Sequence, residues 1–147
     1  MFRRLIETWP TWVTLPLRLT LGAIFIAHGA QKVFGVWGGA GLSKFTAGGA
    51  PMGLRPAWLW MGAAAFAELV GGALVLLGLL TRLGAASLAV VMLVAIFGVH
   101  WGSFFASNRG IEYALALLGM SLALVIAGGG RASFDESLMG RRGGRRR

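Results

Sequence analysis

The run Ala57–Leu80, AWLWMGAAAFAELVGGALVLLGLL, is apolar throughout except for one ionisable side chain, Glu68. At about 1.5 Å rise per residue its 24 residues reach about 36 Å as a helix, more than the roughly 30 Å hydrocarbon core of a bilayer. The stretch therefore reads as a membrane-spanning helix, with Glu68 about 16 Å from its start and so near the bilayer midplane. A charge at that depth costs at least about 2.5 kcal/mol on insertion scales, so the side chain must be neutralised, paired or turned into a bundle interior. The other helices have to supply that environment.

The composition agrees. The chain has 147 residues, 56% of them hydrophobic and 13% charged, with a mean hydropathy of +0.73. These values exclude an ordinary soluble domain of this size and point to one small integral membrane domain. The formal net charge is +9, but of the 14 basic residues five (Arg141, Arg142, Arg145, Arg146 and Arg147) close the chain. The high pI is therefore mostly a tail property. An arginine tail beside a membrane helix attracts anionic headgroups, and without a nucleic-acid-binding fold to present it, lipid is the expected partner and nucleic acid is not. Absence of cysteine excludes disulfides, thiolate metal sites and thiol redox chemistry by this chain, and no metal site is expected. The N-terminal MFRRLIETWPTWVTLPL lacks a signal peptide's apolar core and cleavage site, so the first helix is expected to stay in the membrane.

Working outward, residues 1–15 carry Arg3, Arg4, Glu7, Trp9 and Trp12, the mix of an interfacial segment. Pro16 is expected to open a first span over 17–34, since the first helical turn has no amide partner to lose. The Gly-rich stretch 35–56 is too broken to span and reads as one long loop between the first and second helices. Its GGAG lacks the spacing and the preceding strand of a phosphate loop. Beyond the second span, 57–80, Thr81 is placed to cap a third span over 83–101. A short turn leads to a fourth over 111–127, stopped by Gly128, and residues 131–147 form a basic tail after a transmembrane domain of 16–130. The expectation is an all-α integral membrane protein, a four-transmembrane-helix antiparallel bundle.

Four spans put both termini on one side, with Arg3, Arg4, Arg18, Arg82, Arg131 and the five tail arginines. Lys32, Lys44, Arg55 and Arg109 lie opposite. By the positive-inside rule the termini are cytoplasmic, in a bacterial inner membrane, although half of that positive charge comes from the tail.

In this topology the polar residues converge. His28, Gln31 and Lys32 share a face at i, i+3 and i+4 near the outer end of the first span. His100 closes the third span and Glu112 opens the fourth on the same side, and Glu68 projects towards them. An outward-opening polar pocket is expected, with Glu68 and His28 as catalytic candidates and Gln31, Lys32, His100 and Glu112 as ligand-binding candidates. Glu68 is expected to pair with Lys32 or His28 of the first helix; by helical rise His28 is the nearer, bridged by Gln31 or water, with Lys32 above them. Each also has a plainer explanation: Glu112 can serve the helix dipole, Lys32 can snorkel, and His100 with Trp101 can mark the interface. Two histidines alone make a thin case for haem.

The blocks RLTLGAIFIAHGAQKVFG (18–35), AELVGGALVLLGLLTR (67–82), the pair Glu112–Tyr113 and GGGRASFD (128–135) resemble the DoxX family of small four-helix bacterial membrane proteins, related to the DoxD subunit of thiosulfate:quinone oxidoreductase. The recurring positions correspond to His28, Gly29, Gln31 and Lys32 in the first block and Glu68, Gly71, Gly72, Gly78, Thr81 and Arg82 in the second. Many relatives read GPGR where this chain has GGGR, which concerns only how the last span ends. The resemblance implies a membrane subunit near quinone or sulfur redox chemistry and assigns no catalytic step. Three functions follow: a quinone-binding subunit of an oxidoreductase with a soluble redox partner, itself catalytic or not; a non-enzymatic scaffold or lipid-binding protein, such as a homo-oligomer; and a small transporter.

Overall fold

The structure, a computed structural model, describes residues 5–143, with side chains described through Met139. Arg3, Arg4 and the side chains of the tail arginines, which carry much of the charge asymmetry, lie outside the described residues. Six α-helices lie wholly within the described residues, in order: α1 (Thr14–Phe34), α2 (Gly41–Ala47), α3 (Ala57–Leu77), α4 (Thr81–Gly98), α5 (Glu112–Ala127) and α6 (Phe134–Gly143). No strand occurs among the described residues. α3 and α4 are each long and apolar enough to cross a membrane; α1 joins them if it and the bent segment after it count as one span, and α5 is apolar but shorter. α1 packs on α3, α3 on α4, α4 on α5, and α5 returns to α1. Leu21 and Phe25 of α1, Val75 of α3, Leu88 and Met92 of α4, and Leu117 and Leu124 of α5 meet in the core between them.

The outside of this packing is as apolar as its inside. Val70, Val90, Phe97 and Ile126 are all more than half exposed, which suits lipid rather than water. The six tryptophans are also exposed, and they sit at the two ends: Trp9 and Trp12 beside the start of α1, Trp37, Trp58, Trp60 and Trp101 at the other. Amphipathic rings concentrated at both ends of an apolar belt are the pattern of a bilayer-crossing protein. The chain is a multi-pass membrane protein.

Glycines set how closely α1 and α3 approach. A Cβ on Gly29 would fall 2.5 Å from the Leu69 amide nitrogen, and one on Gly22 would fall 2.8 Å from the Leu76 Cβ. The antiparallel register thus places residue 29 opposite 69 and residue 22 opposite 72–76. Following that register, the last residue of α1 lies opposite about residue 64, so the first two turns of α3, about 10 Å, extend past the end of α1. The expected loop fills that space. After Gly35, which ends α1 in the left-handed conformation at φ 71°, the chain turns by 101° and folds into α2 between two 3₁₀ turns, Val36–Gly38 and Pro51–Gly53. α2 packs on both α1 and α3. Residues 35–56 are therefore folded cover over the α1–α3 pair, and their glycine content, which suggested an open loop, serves the sharp turns.

The opposite end holds a network that local sequence signals did not announce. Arg18 is 2% exposed and donates to the carbonyls of Gly129 at 2.7 Å, Ala132 at 3.1 Å and Leu76 at 3.4 Å. Thr81 begins α4 without capping it. Leu80 takes the N-cap position at φ 47°, and the cap comes from Asp135, whose carboxylate accepts the amides of Leu80 at 2.8 Å and Thr81 at 2.9 Å and the Thr81 hydroxyl at 2.7 Å. The N-terminal segment joins this end. The Trp9 amide donates to the Ala127 carbonyl at 2.9 Å, and Arg82 donates to the carbonyls of Glu7 and Ile126, each at 2.9 Å.

Candidate functional site: a buried ion pair under a short helix

Glu68 is 3% exposed, halfway along the most apolar helix of the chain. Burial of that carboxylate requires a partner, and Lys32 of α1 is the one it has. The Lys32 ammonium donates to both Glu68 carboxylate oxygens, the one ion pair among the described residues. The register explains the contact. Three residues beyond the Gly29–Leu69 crossing, Lys32 faces about residue 66, only about 3 Å of helical rise from Glu68. Counting depth from helix ends had put Lys32 well above Glu68 because it aligned the ends of α1 and α3; the overhang of α3 brings the two to one level.

His28, expected as the nearer partner, is exposed and makes no hydrogen bond to this pair. It precedes Lys32 by one turn of α1, and of the two only Lys32 bonds the carboxylate. Gln31 is half-buried and turned to the chain's own bend, its side-chain amide donating to the Trp37 carbonyl at 3.4 Å. His100 lies in the α4–α5 connection and Glu112 begins α5, and each holds a turn of that connection. The His100 Nδ1 is 2.9 Å from the Arg109 carbonyl, and Glu112 accepts the Ala106 amide at 2.8 Å. The six candidates thus do not line one pocket; the structure brings together Lys32 and Glu68 and distributes the others. His28 lies on α1 and His100 just beyond the end of α4, and α1 and α4 each neighbour α3 and α5 rather than packing along each other.

A residue outside the expected set completes the centre. Phe45 of α2 places its ring 5.4 Å from the Lys32 Nζ, within cation–π range. Lys32 is consequently held between a carboxylate and an aromatic face, with its side chain 26% exposed against 4% for Glu68. The signal available in the sequence was the amphipathic mix around Phe45; its meeting with Lys32 depends on the 101° turn at Gly35, which no periodicity encodes. Below the pair the interface closes: a Cβ on Gly72 would come within 2.9 Å of the Ile26 amide and 3.0 Å of the Phe25 Cβ. The polar centre is therefore sealed towards the Arg18 end and covered by α2 at the other.

An ammonium has three N–H donors and Glu68 engages two directions of them, so one remains for an acceptor. The remaining donor suits a carbonyl-bearing ligand.

Comparison with known proteins follows the same lines. The DoxX family model matches residues 13–101, which include α1 to α4 and both members of the ion pair. A protein of Bacillus subtilis (strain 168), "Putative oxidoreductase CatD", is 33% identical over 117 residues, covering 76% of this chain and 77% of that protein. No solved structure matches the chain significantly. On the family model and this extended similarity, the chain belongs to the DoxX family.

Proposed function

We propose that this protein is the membrane subunit of an oxidoreductase, and that the Lys32–Glu68 pair is where it receives a quinone headgroup and the protons that quinone reduction consumes. The observation that carries this is a hydrogen-bonded ion pair whose carboxylate is buried inside an apolar helix, a placement that in membrane proteins marks proton or ligand sites. The relative's name, an oxidoreductase, agrees with it. A quinone supplies a two-electron acceptor when bound; the electrons come from a partner. In this account Lys32 donates a hydrogen bond to the headgroup carbonyl and Glu68 holds Lys32 in place. Lys32 would hold a carbonyl oxygen of the quinone and could supply one of the two protons that reduction to the quinol takes up, and the Glu68 carboxylate, which favours the charged ammonium, would draw a replacement proton back to Lys32. α2 limits water at the pair, which strengthens both interactions.

The same proposal has α1, α3, α4 and α5 all crossing the inner membrane, with both termini cytoplasmic and residues 35–56 outside. Reporter fusions test it: a reporter active outside the cell when fused to the C-terminus reverses the map.

One observation favours a second function, a non-enzymatic scaffold: Lys32 already engages both oxygens of Glu68, as a purely structural pair would. Purification in mild detergent with native lipid retained, followed by mass spectrometry of what accompanies the protein, separates the two. A quinone or a redox partner is expected; a lone oligomer carrying neither would favour the scaffold.

A further inference from the structure

α2 is a cover with few anchors. None of its seven residues is buried, and it hangs between Gly35 and Gly41, each at φ 71°, on one side and Gly48 and Gly49 on the other. Segments with so little buried apolar surface open at low free energy. Its specific link to the centre is the face of Phe45 against the Lys32 ammonium, and the half-buried ring retains open area. Charge, donor and aromatic plane therefore meet at one place, under a segment with no buried residue.

We propose that Phe45 is the residue that selects the ring at this site: its face stacks on a planar, carbonyl-bearing ring while Lys32 donates to the carbonyl. The inference rests on the quinone assignment above and adds its specificity. A flat, electron-poor quinone ring gains from an aromatic face, whereas a puckered, saturated diketone presents the same oxygens with no plane to stack. Phe45 acts on ligand affinity rather than on protons, so its role is separable from that of Lys32 and Glu68.

The test measures binding of two probes to the full chain in lipid nanodiscs: a benzoquinone with a short alkyl tail and a cyclohexane-1,4-dione with the same tail. The wild type is expected to prefer the quinone by about tenfold, the order of one stacking contact. Phe45→Leu, which keeps an apolar side chain and good helix propensity while removing the π face, should lower quinone affinity about tenfold and leave the dione unchanged. Phe45→Trp should keep the preference. An unchanged preference in Phe45→Leu, with quinone binding still abolished by Lys32→Met, would overturn the role of Phe45 alone. Quinone binding indifferent to Lys32→Met and Glu68→Gln, or absent from the wild type, would overturn the underlying site and this inference together.

Discussion

Asp135 caps a helix to which it does not belong: its carboxylate accepts the Thr81 amide at 2.9 Å and the Thr81 hydroxyl at 2.7 Å, and it is 1% exposed while doing so. The contact closes the end of the molecule opposite the ion pair, where α3 turns into α4. Asp135→Ala leaves two amides and a hydroxyl without their acceptor and is expected to cost about 1–3 kcal/mol, seen as a lower melting temperature in detergent. Asp135→Asn keeps one acceptor oxygen and should lose less. Equal stability of wild type and Asp135→Ala would mean that water replaces the cap.

Removal of Arg141 to Arg147 lies beyond this anchor and should leave the melting temperature unchanged, whereas truncation after Gly130 removes Asp135 and Ser133 with it and should lower the melting temperature by at least as much as Asp135→Ala. A large loss on the shorter truncation would show that the tail packs on the helices.

Gly29→Ala probes the register that makes the site. The new Cβ would fall 2.5 Å from the Leu69 nitrogen and 2.7 Å from its Cα, both backbone atoms that cannot step aside. Overpacking of this kind costs about 1–3 kcal/mol, and separation of α1 from α3 should also draw Lys32 away from Glu68. Ligand binding and melting temperature are expected to fall together. Gly119→Ala, on a face with open space, is the control and should change neither.

The limits of sequence reasoning are visible in these residues. The apolar run 57–80 holds the helix Ala57–Leu77, and the run 111–127 the helix Glu112–Ala127. Glu68 stood out because an isolated carboxylate in an apolar run has a known cost. Its partner was narrowed to Lys32 or His28 and the choice fell on His28, because depth counted along each helix carries no information about how far one helix slides past the other; that offset comes from the glycines of α1 and α3 meeting backbone. α2 was hidden by its glycines, which read locally as loop. Asp135 and Arg18 act across 54 and 111 residues of chain, through carbonyls and amides that leave no periodic trace.

The ion pair itself makes an asymmetric prediction. Glu68→Leu strands the Lys32 ammonium and Lys32→Met strands a carboxylate that is 3% exposed, so each single change should destabilise, by about 3–5 kcal/mol for the buried carboxylate and less for the partly exposed lysine. The double change Lys32→Met with Glu68→Leu removes both charges and should recover most of that loss. A double variant as unstable as the worse single one would show that the shape, not the charge, of the pair holds α1 to α3.

The most direct measurement is photo-crosslinking with an azido-benzoquinone in native membranes, followed by mapping of the labelled peptides and repeated on the stable double variant. The account predicts labelling in the segments that carry Lys32, Phe45 and Glu68, competed by unlabelled quinone and lost from the variant lacking both charges. Labelling confined to other segments, or unchanged in that variant, would contradict a quinone site at the Lys32–Glu68 pair.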